Sequence, residues 1–461
     1  MKKTMEMMTA AAMAFSLAAC TASSNQDTAD NSTENIEETA AAQDTSTDTE
    51  TAEVTVNETL TSTSDSEHVI EVSGTEETYS NIKVTKTGDS DQGDEADFYG
   101  DNAAIFATDG AALDLNQIEV ETDGTHANAV FSYGTGTTVN ISDSVITTTG
   151  NCSGGLMTTG GGTMNASNLT VHTTGNSSAA IRSDRGGGTV TVNGGSYTTD
   201  GKGSPVIYST ADITVSDAVL TSTASQGVVV EGKNSVTLNN VTLTADNNTK
   251  NSDKSSYYQA VMIYQSMSGD ASAGKASFTM NGGTLTNKNG DIFFVNNTYA
   301  DITLTDADII NESDGVFLRA EAAGWGSEGS NGGHVNLYAS KQDINGDIVV
   351  DSVSSLNLYL TDSSTLIGSV NAEGEVYVEL TEGSVWKLTG DSYVTSLTCD
   401  ADSIDLNGYT LYVSGEVYTA GTSSKGEAVD MTVTSSGSSE GHEGMPGGEK
   451  PNGMGEPPAK P

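Results

Sequence analysis

The chain has 461 residues and a formal net charge of −45, from 63 acidic and 18 basic residues. Because nucleic-acid binding requires lysine and arginine to neutralise phosphates, this charge argues against nucleic acid as a partner, and against an anionic lipid surface for the same reason. A chain of this length is more typical of several domains, or of one long repeat body, than of a single core.

The first twenty residues, MKKTMEMMTAAAMAFSLAAC, are typical of an export signal. Lys2 and Lys3 precede an apolar run over residues 7–19 that is too short to span a bilayer. The run ends in LAAC, which resembles the lipobox of bacterial lipoproteins, and that resemblance implies that Cys20 becomes the lipidated first residue after removal of residues 1–19. We therefore expect an extracytoplasmic protein that is lipid-anchored to the bacterial cell membrane and exposed at the cell surface.

Two segments flank the body of the chain. Residues 20–66 are rich in Thr, Ser, Asp, Glu and Ala with almost no large apolar residues, which predicts a disordered acidic linker. Residues 436–461 form a flexible tail rich in Gly, Pro and Met. The body is expected over residues 67–435.

A hydrophobic pattern recurs in the body at spacings of 22–26 residues. Each unit holds three short runs of period-two alternation, which predict strands with one buried side, and an Asn, Asp or Gly corner separates two of them. Such corners also occur in antiparallel hairpins, but the phase of the repeat never resets, which favours stacking of like coils over a β-sandwich. The pattern therefore predicts an all-β, right-handed parallel β-helix of about twelve coils. Its inward positions include Ile105, Val130, Leu156, Ile181, Ile207 and Val229.

Two resemblances accompany this pattern. The middle coils resemble the right-handed β-helix of pectate-lyase-like and adhesin-like bacterial surface proteins. Residues 384–413 resemble the last turns of pertactin-like autotransporter passengers, in Trp386, Thr389-Gly390-x-Ser392, and Val394-x-x-Leu397. No β-barrel translocator pattern follows these residues, so the resemblance does not imply autotransport.

The residue after each inward aliphatic should point outward, which predicts an unusually apolar file along one flank. Long inserts at 265–276 and 319–333 follow two of its strands, and long loops on a rigid scaffold commonly carry binding residues. The expected file comprises Phe106, Phe131, Met157, Arg182, Tyr208, Val230, Ile263 or Tyr264, Phe294 and Leu318. The predicted ligand contacts are Tyr208, Tyr264, Phe294, Tyr299 and Trp325. The alternative is that inserts or another molecule cover this flank as ordinary packing.

The sequence shows no arrangement of residues that indicates catalysis, a metal or a cofactor. The three arginines and five histidines are scattered over the chain, whereas acid/base chemistry requires groups within hydrogen-bond reach. The best remaining candidate for catalysis is Arg182 with Asp184 and Arg185, and these residues are expected instead to form a local salt bridge at a tight corner. The acidic run from Asp89 to Asp97 lacks the spacing of a calcium-binding EF-hand loop and is expected to be a solvated loop.

Three functions remain open from the sequence. The first is an adhesin or carbohydrate-binding module that recognises a glycan or a cell-surface protein, and exposed aromatic residues on one flank would favour it. The second is a structural or self-associating surface protein, favoured if that flank is covered. The third is a polysaccharide lyase or hydrolase, which requires convergent carboxylates with a Lys or Arg. The sequence does not define the oligomeric state.

Replacing Cys20 with alanine tests the anchor. We expect Cys20→Ala to release the protein from membranes or to block its maturation, because the acylated residue is lost. Membrane fractionation and labelling with a fatty-acid analogue measure this. Unchanged fractionation together with unchanged labelling would contradict the anchor.

Overall fold

The computed structural model describes residues 54–250, 252–266 and 268–432. Cys20, the predicted signal peptide, most of the predicted linker and nearly all of the predicted tail lie outside these residues. The described chain is a parallel β-helix in which each coil contributes a strand to up to three faces, here called sheet 1, sheet 2 and sheet 3.

Sheet 1 contains twelve strands in chain order, in agreement with the predicted number of coils. Its neighbouring strands pair in parallel throughout. The strands are Ile70–Ser73, Ile105–Thr108, Val130–Tyr133, Leu156–Thr159, Ile181–Ser183, Ile207–Ser209, Val228–Glu231, Gln259–Tyr264, Asp291–Asn296, Leu318–Ala320, Ile348–Val350 and Val370–Ala372.

Sheets 2 and 3 are joined into one 21-stranded sheet by two long strands, Gly162–Thr173 and Gly188–Thr199, each of which turns the corner between the two faces. The other strands of sheet 2 are Glu76–Ser80, Ala112–Asn116, Thr138–Ser142, Asp212–Ser216, Ser235–Asn239, Lys275–Asn281, Thr298–Thr305, Gly333–Ser340, Ser355–Thr361, Glu375–Leu380 and Ser396–Thr398. Those of sheet 3 are Glu58–Ser62, Ile82–Lys86, Glu119–Thr122, Val145–Thr148, Val219–Ser222, Thr242–Ala245, Thr284–Asn287 and Asp308–Asn311.

Two small sheets complete the strands near the C-terminal end of the stack. A four-stranded sheet contains Asp343–Asn345, Thr365–Ile367, Val385–Lys387 and Ile404–Asp405. A three-stranded sheet contains Ser392–Val394, Leu411–Val413 and Glu416–Val417, and its last pairing is antiparallel. The first strand of the molecule, Glu58–Ser62, begins nine residues before the predicted start of the body at 67.

The core is a set of aliphatic columns inside the coils. In sheet 1 the inward column holds Ile105, Val130, Leu156, Ile181 and Ile207 in register, and all are at most 1% exposed. One position of the predicted column is wrong, since Ile207 pairs with Val228 and not with Val229. The coil between them is one residue shorter than the repeat pattern indicated.

The corners between sheets 2 and 3 have the conformation that the sequence predicts. Asp143, Asn168, Asp217 and Asn240 adopt positive φ values of 50–53°, and Gly194 occupies the equivalent corner with a φ of 72°. Asn, Asp and Gly adopt this left-handed conformation at low cost, so each coil can bend without losing register.

A column of glycines lies at the corner that enters sheet 1. A β-carbon on Gly175 or Gly201 would lie 1.8 Å from the carbonyl oxygen of Gly150 or Gly175, respectively. A β-carbon on Gly124 or Gly150 would likewise lie 2.0 Å from the carbonyl oxygen of Gly88 or Gly124, respectively. Consecutive coils can therefore approach at this corner only because no side chain intervenes.

The outer face of sheet 1 carries a second layer of chain. The helix Asp94–Tyr99 and the residues after it cover the apolar cluster Ala103, Phe106, Phe131 and Met157. The carbonyl of Phe98 accepts a hydrogen bond from Thr159 Oγ1 at 2.7 Å, which fixes the helix on the sheet. The acidic run was expected to be a solvated loop, and that expectation is wrong for its second half, residues 94–97, which lie in this helix.

The cysteine arrangement agrees with the stacking. Cys399 is a free, buried thiol, 3.8 Å from the hydroxyl of Tyr418. A bridge between Cys152 and Cys399 is therefore absent, as expected for two residues on coils far apart in the stack.

Substitutions at Leu156 and Met157 test the two layers. Both side chains are buried, Leu156 inside the coils and Met157 beneath the helix, so we expect Leu156→Ala and Met157→Ala each to lower the free energy of unfolding by about 2–5 kcal/mol. Thr191→Ala, at an exposed outward position, is the control and should change it by less than about 0.5 kcal/mol. Chemical denaturation measures all three. A Met157→Ala protein as stable as the control would refute the second layer.

Candidate functional site

The outward column of sheet 1 is apolar, as predicted, but most of it is covered. Four of the five predicted ligand contacts meet here: Tyr264, Phe294 and Trp325 are at most 3% exposed in one cluster with Val229 and Met262, and half-buried Tyr208 packs against it. The observed column is Phe106, Phe131, Met157, Arg182, Tyr208, Val229, Met262, Phe294 and Arg319. Val230, Ile263 and Leu318 point inward instead. The shorter coil noted above accounts for Val230.

The fifth predicted contact, Tyr299, lies elsewhere. It is a half-buried residue of sheet 2, and its ring stacks on that of His334 with centroids 4.6 Å apart. Tyr299 is therefore not part of the aromatic cluster on sheet 1.

The cover of sheet 1 leaves an open depression beside the buried cluster. It consists of two adjoining pockets of about 30 Å³ each that share Gly203 and Gln226 in their walls. One pocket is lined by Arg182, Pro205 and Tyr208, and the other by residues of the corner segments 247–250 and 252–258 with Met262 and Trp325. Hereafter this feature is called the corner depression. Two of the predicted ligand contacts, Tyr208 and Trp325, thus line it.

Aromatic rings and cations alternate around the corner depression. Tyr257 is 36% exposed, and the guanidinium carbon of Arg319 lies 3.6 Å from its ring centroid. Lys250 Nζ lies 4.8 Å from the centroid of Tyr258 and donates to the carbonyl of Ser256 at 2.7 Å. Arg319 is held in turn by Asp291 and Glu321, at 2.7 and 3.2 Å. These contacts orient the tyrosines at the rim.

Amide side chains form the floor of the same pocket. Asn247 and Gln259 are each 2% exposed, and Asn247 Nδ2 donates to the backbone oxygen of Gln259 at 2.9 Å. Asn247 Oδ1 and Gln259 Oε1 have no hydrogen-bond partner among the described residues. Both oxygens have almost no accessible surface, so they are buried unpaired acceptors of residues that line the pocket.

The sequence analysis missed Tyr257, Tyr258, Asn247 and Gln259. The inserts considered there follow the strands of sheet 1, whereas Asn247, Tyr257 and Tyr258 belong to the longer corner before Gln259–Tyr264, and Gln259 is the first residue of that strand. The signal that could have found them is the adjacent pair Tyr257-Tyr258 in a polar stretch immediately ahead of a strand.

A second group of functional side chains lies beside the depression. Arg182 donates to Asp184 at 2.8 Å and lies 3.1 Å from Asp97 of the helix, which also contacts His126 at 3.2 Å. The predicted local salt bridge is confirmed for Arg182 and Asp184, whereas Arg185 forms its ion pair with Asp270. The sequence predicted that the arginines and histidines lie far apart. That prediction is wrong for Arg182 and His126, because both contact Asp97 of the helix.

Two carboxylates share the one guanidinium unequally. Burial opposes ionisation of Asp97, but attraction to Arg182 and hydrogen bonds from His126 and Asn128 outweigh it, so the pKa of Asp97 is lowered. Burial raises the pKa of Asp184 to about 7, and attraction to Arg182 offsets only part of that effect. Asp184 therefore changes charge near neutral pH.

A buried carboxylate continues the group towards the loop after Tyr264. Glu231 is 1% exposed and accepts hydrogen bonds from Tyr208 at 2.5 Å, from Tyr264 at 2.9 Å and from Ser266. Burial raises the pKa of Glu231. It also raises the pKa of Tyr208 and of Tyr264 well above the usual value for tyrosine. Arg185 completes the link, with an ion pair to Asp270 at 2.8 Å.

The ligand atoms of Asp97, His126 and Cys152 lie within 4.8 Å of one another. We assign no metal site to them, because Asp97 is paired with Arg182.

The geometry defines a parallel β-helix whose covered sheet borders a small depression of aromatic rings and amides. No protein-family model, no curated protein and no solved structure matches the chain. The resemblances to pectate-lyase-like, adhesin-like and pertactin-like proteins thus stay predictions. Within the described residues, no helix has the length and apolar character needed to cross a membrane.

Asp184→Asn tests the charged group through pH. With a pKa of about 7 in the folded protein and about 3.9 unfolded, Asp184 keeps a proton on folding between these values, so the wild type loses stability as pH rises through that window. The stability of the wild type relative to Asp184→Asn should therefore fall from pH 4.5 to pH 8. Denaturation at several pH values measures this, with exposed Asp212→Asn as the control. A pH-independent difference between wild type and Asp184→Asn would contradict the shifted pKa.

Proposed function

We propose that the protein is an exported, lipid-anchored surface protein that binds glycans through the corner depression. The observation that carries this proposal is the convergence of aromatic residues with the amide residues Gln226, Asn247 and Gln259 in the lining of one open pocket. Aromatic faces pack on the apolar sides of sugar rings, while amides hydrogen-bond their hydroxyls, so small sites of this composition suit carbohydrate. The anchor and the surface location rest on Cys20 and the signal sequence alone.

A structural or self-associating role is the second candidate. It is favoured by the burial of Tyr264, Phe294 and Trp325, because a covered flank was the outcome that this role requires. Under this view the two pockets are gaps in the packing of the corner loops.

Catalysis is the third candidate, and the charged group beside the depression bears on it. The structure supplies the convergent carboxylates and arginine that a polysaccharide-acting enzyme needs, in Asp97, Arg182 and Asp184. These three groups are buried and form ion pairs with one another. The nearby phenol of Tyr208 has a raised pKa, so it stays protonated and is a poor base. We therefore propose binding without catalysis.

Tyr257→Ala tests the glycan proposal. Tyr257 is exposed at the rim, so we expect its loss to weaken binding on a glycan array while leaving the melting temperature within about 2 °C. Tyr338→Ala is the matched control, since Tyr338 lies on sheet 2 and is 40% exposed. This variant should bind glycans like the wild type.

Two results would argue against the proposal. If the wild-type protein bound no glycan, the structural role would be favoured. If the Tyr257 and Tyr338 variants bound equally well, the binding site would have to lie outside the corner depression.

A further inference from the structure

We infer that the corner depression binds glycans that contain an N-acetylated amino sugar, and that the pocket beside Tyr208 receives the methyl group of the acetamido substituent. This inference rests on the proposed function and specifies the substrate class of the same site. Hereafter the pocket lined by Arg182, Pro205 and Tyr208 is called the apolar pocket, and the pocket lined by the corner segments 247–250 and 252–258 is called the amide pocket.

The two pockets differ in the chemistry of their walls. Ala179, Pro205, Tyr208 and Val229 give the apolar pocket a mostly apolar wall, although Arg182 also lines it. The lining of the amide pocket combines aromatic residues with the amides Gln226, Asn247 and Gln259 and the hydroxyl residues Thr249, Ser252 and Ser255. A ligand that occupies both pockets therefore carries a small apolar group directly beside polar ones.

The volume of the apolar pocket limits that apolar group to the size of a methyl group. The volume is about 30 Å³, which is close to that of one water molecule and far too small for a sugar ring. A methyl group is of similar size to water, and on entering it leaves water for an apolar wall, which is favourable. The sugar ring stays outside, where Tyr257 is exposed at the rim.

Gln226 indicates what carries the methyl group, because it lines both pockets. Its Oε1 accepts a hydrogen bond from Ser225 at 2.7 Å, whereas its Nε2 is 4.0 Å from the sulfur of Met262, a long and weak contact. The amide nitrogen thus retains donor capacity for a carbonyl oxygen. An acetamido group holds its carbonyl directly beside its methyl, whereas the methyl group of a deoxy sugar has no carbonyl beside it.

The apolar wall also separates an acetylated amino sugar from a free one. The amine of the free sugar is an ammonium ion, and an ammonium ion loses its hydration in an apolar pocket unless a carboxylate pairs with it. Among the described residues that line the apolar pocket there is no carboxylate, and Arg182 is itself held by Asp97 and Asp184. The pocket therefore favours the neutral acetamido group.

The ligand chemistry is tested on an array that carries the same amino-sugar glycans in N-acetyl, N-propionyl and free-amine forms, with deoxy sugars beside them. We expect the full-length protein to bind the N-acetyl forms at least about tenfold more tightly than each of the others, because one carbon too few or too many in a fitted apolar pocket changes affinity by about that factor.

Two substitutions change the size of the apolar pocket in opposite directions. Val229→Ala enlarges it, so the ratio of N-propionyl to N-acetyl binding should rise at least about threefold, and this ratio does not depend on the fraction of folded protein. Ala179→Val fills it and should weaken N-acetyl binding at least about fivefold. Ala112→Val, at a half-buried alanine of sheet 2 that lines neither pocket, is the control and should bind like the wild type. Thermal melting checks that each variant is folded.

The outcomes are distinguishable. Equal binding of N-acetyl and free-amine forms would overturn this inference and leave glycan binding intact. Deoxy sugars bound as tightly as acetamido sugars would overturn the assignment of the acetamido group. An unchanged preference in both folded pocket variants would overturn the placement of the methyl group. Absence of binding to every glycan would overturn the proposed function itself, and this inference with it.

Discussion

The parallel register between successive coils is the constraint on which the rest of this molecule depends. Each strand is hydrogen-bonded to the strand one coil before and after it, so a side chain at a given phase meets its equivalent in the next coil. Inward phases then hold apolar residues or small buried hydroxyl residues such as Thr158 and Ser183, and corner phases favour residues that tolerate a left-handed backbone or a close approach. These restrictions on each phase explain why the same hydrophobic pattern recurs along the sequence.

The same register produces the second layer on sheet 1. A column that places Phe106, Phe131 and Met157 outward would expose a large apolar surface, so the chain covers it with the helix Asp94–Tyr99. Farther along the stack, the corner loops cover Phe294 and Tyr264 in the same way. The corner depression lies at the edge of this cover. There, the outward rings of Tyr208 and Trp325 lie beside solvent and beside amide residues.

Much of the fold could be predicted from the sequence because periodicity reports on local phase. The strands, the corners at Asp143 and Asn168, and the inward position of Leu156 all follow from the spacing of apolar and polar residues. One short coil shifted the phase at Val228, and no local signal distinguishes three consecutive valines by direction.

The candidate site was only partly predictable, since inserts depart from the repeat. Tyr208 and Trp325 were found from composition and loop length. The burial of Tyr264 depends on how a loop distant in sequence folds back, which periodicity does not encode. The convergence of Asp97 on Arg182 joins residues 85 positions apart through a helix in an acidic stretch whose composition indicated a solvated loop. Sequence spacing cannot report contacts that inserts make across coils.

Arg185 has a mechanical consequence for the whole stack. Its guanidinium lies 3.9 Å from the ring centroid of Phe98 and forms an ion pair with Asp270, so one side chain connects the helix insert with a loop several coils away. In a solenoid whose units contact only their neighbours, opening can begin at any coil and spread gradually. A connection that skips over coils opposes this, because the coils it spans cannot separate one at a time without breaking it. The segment between the two inserts should therefore open as a unit, with amide-exchange protection that is uniform across its coils and not graded towards the ends.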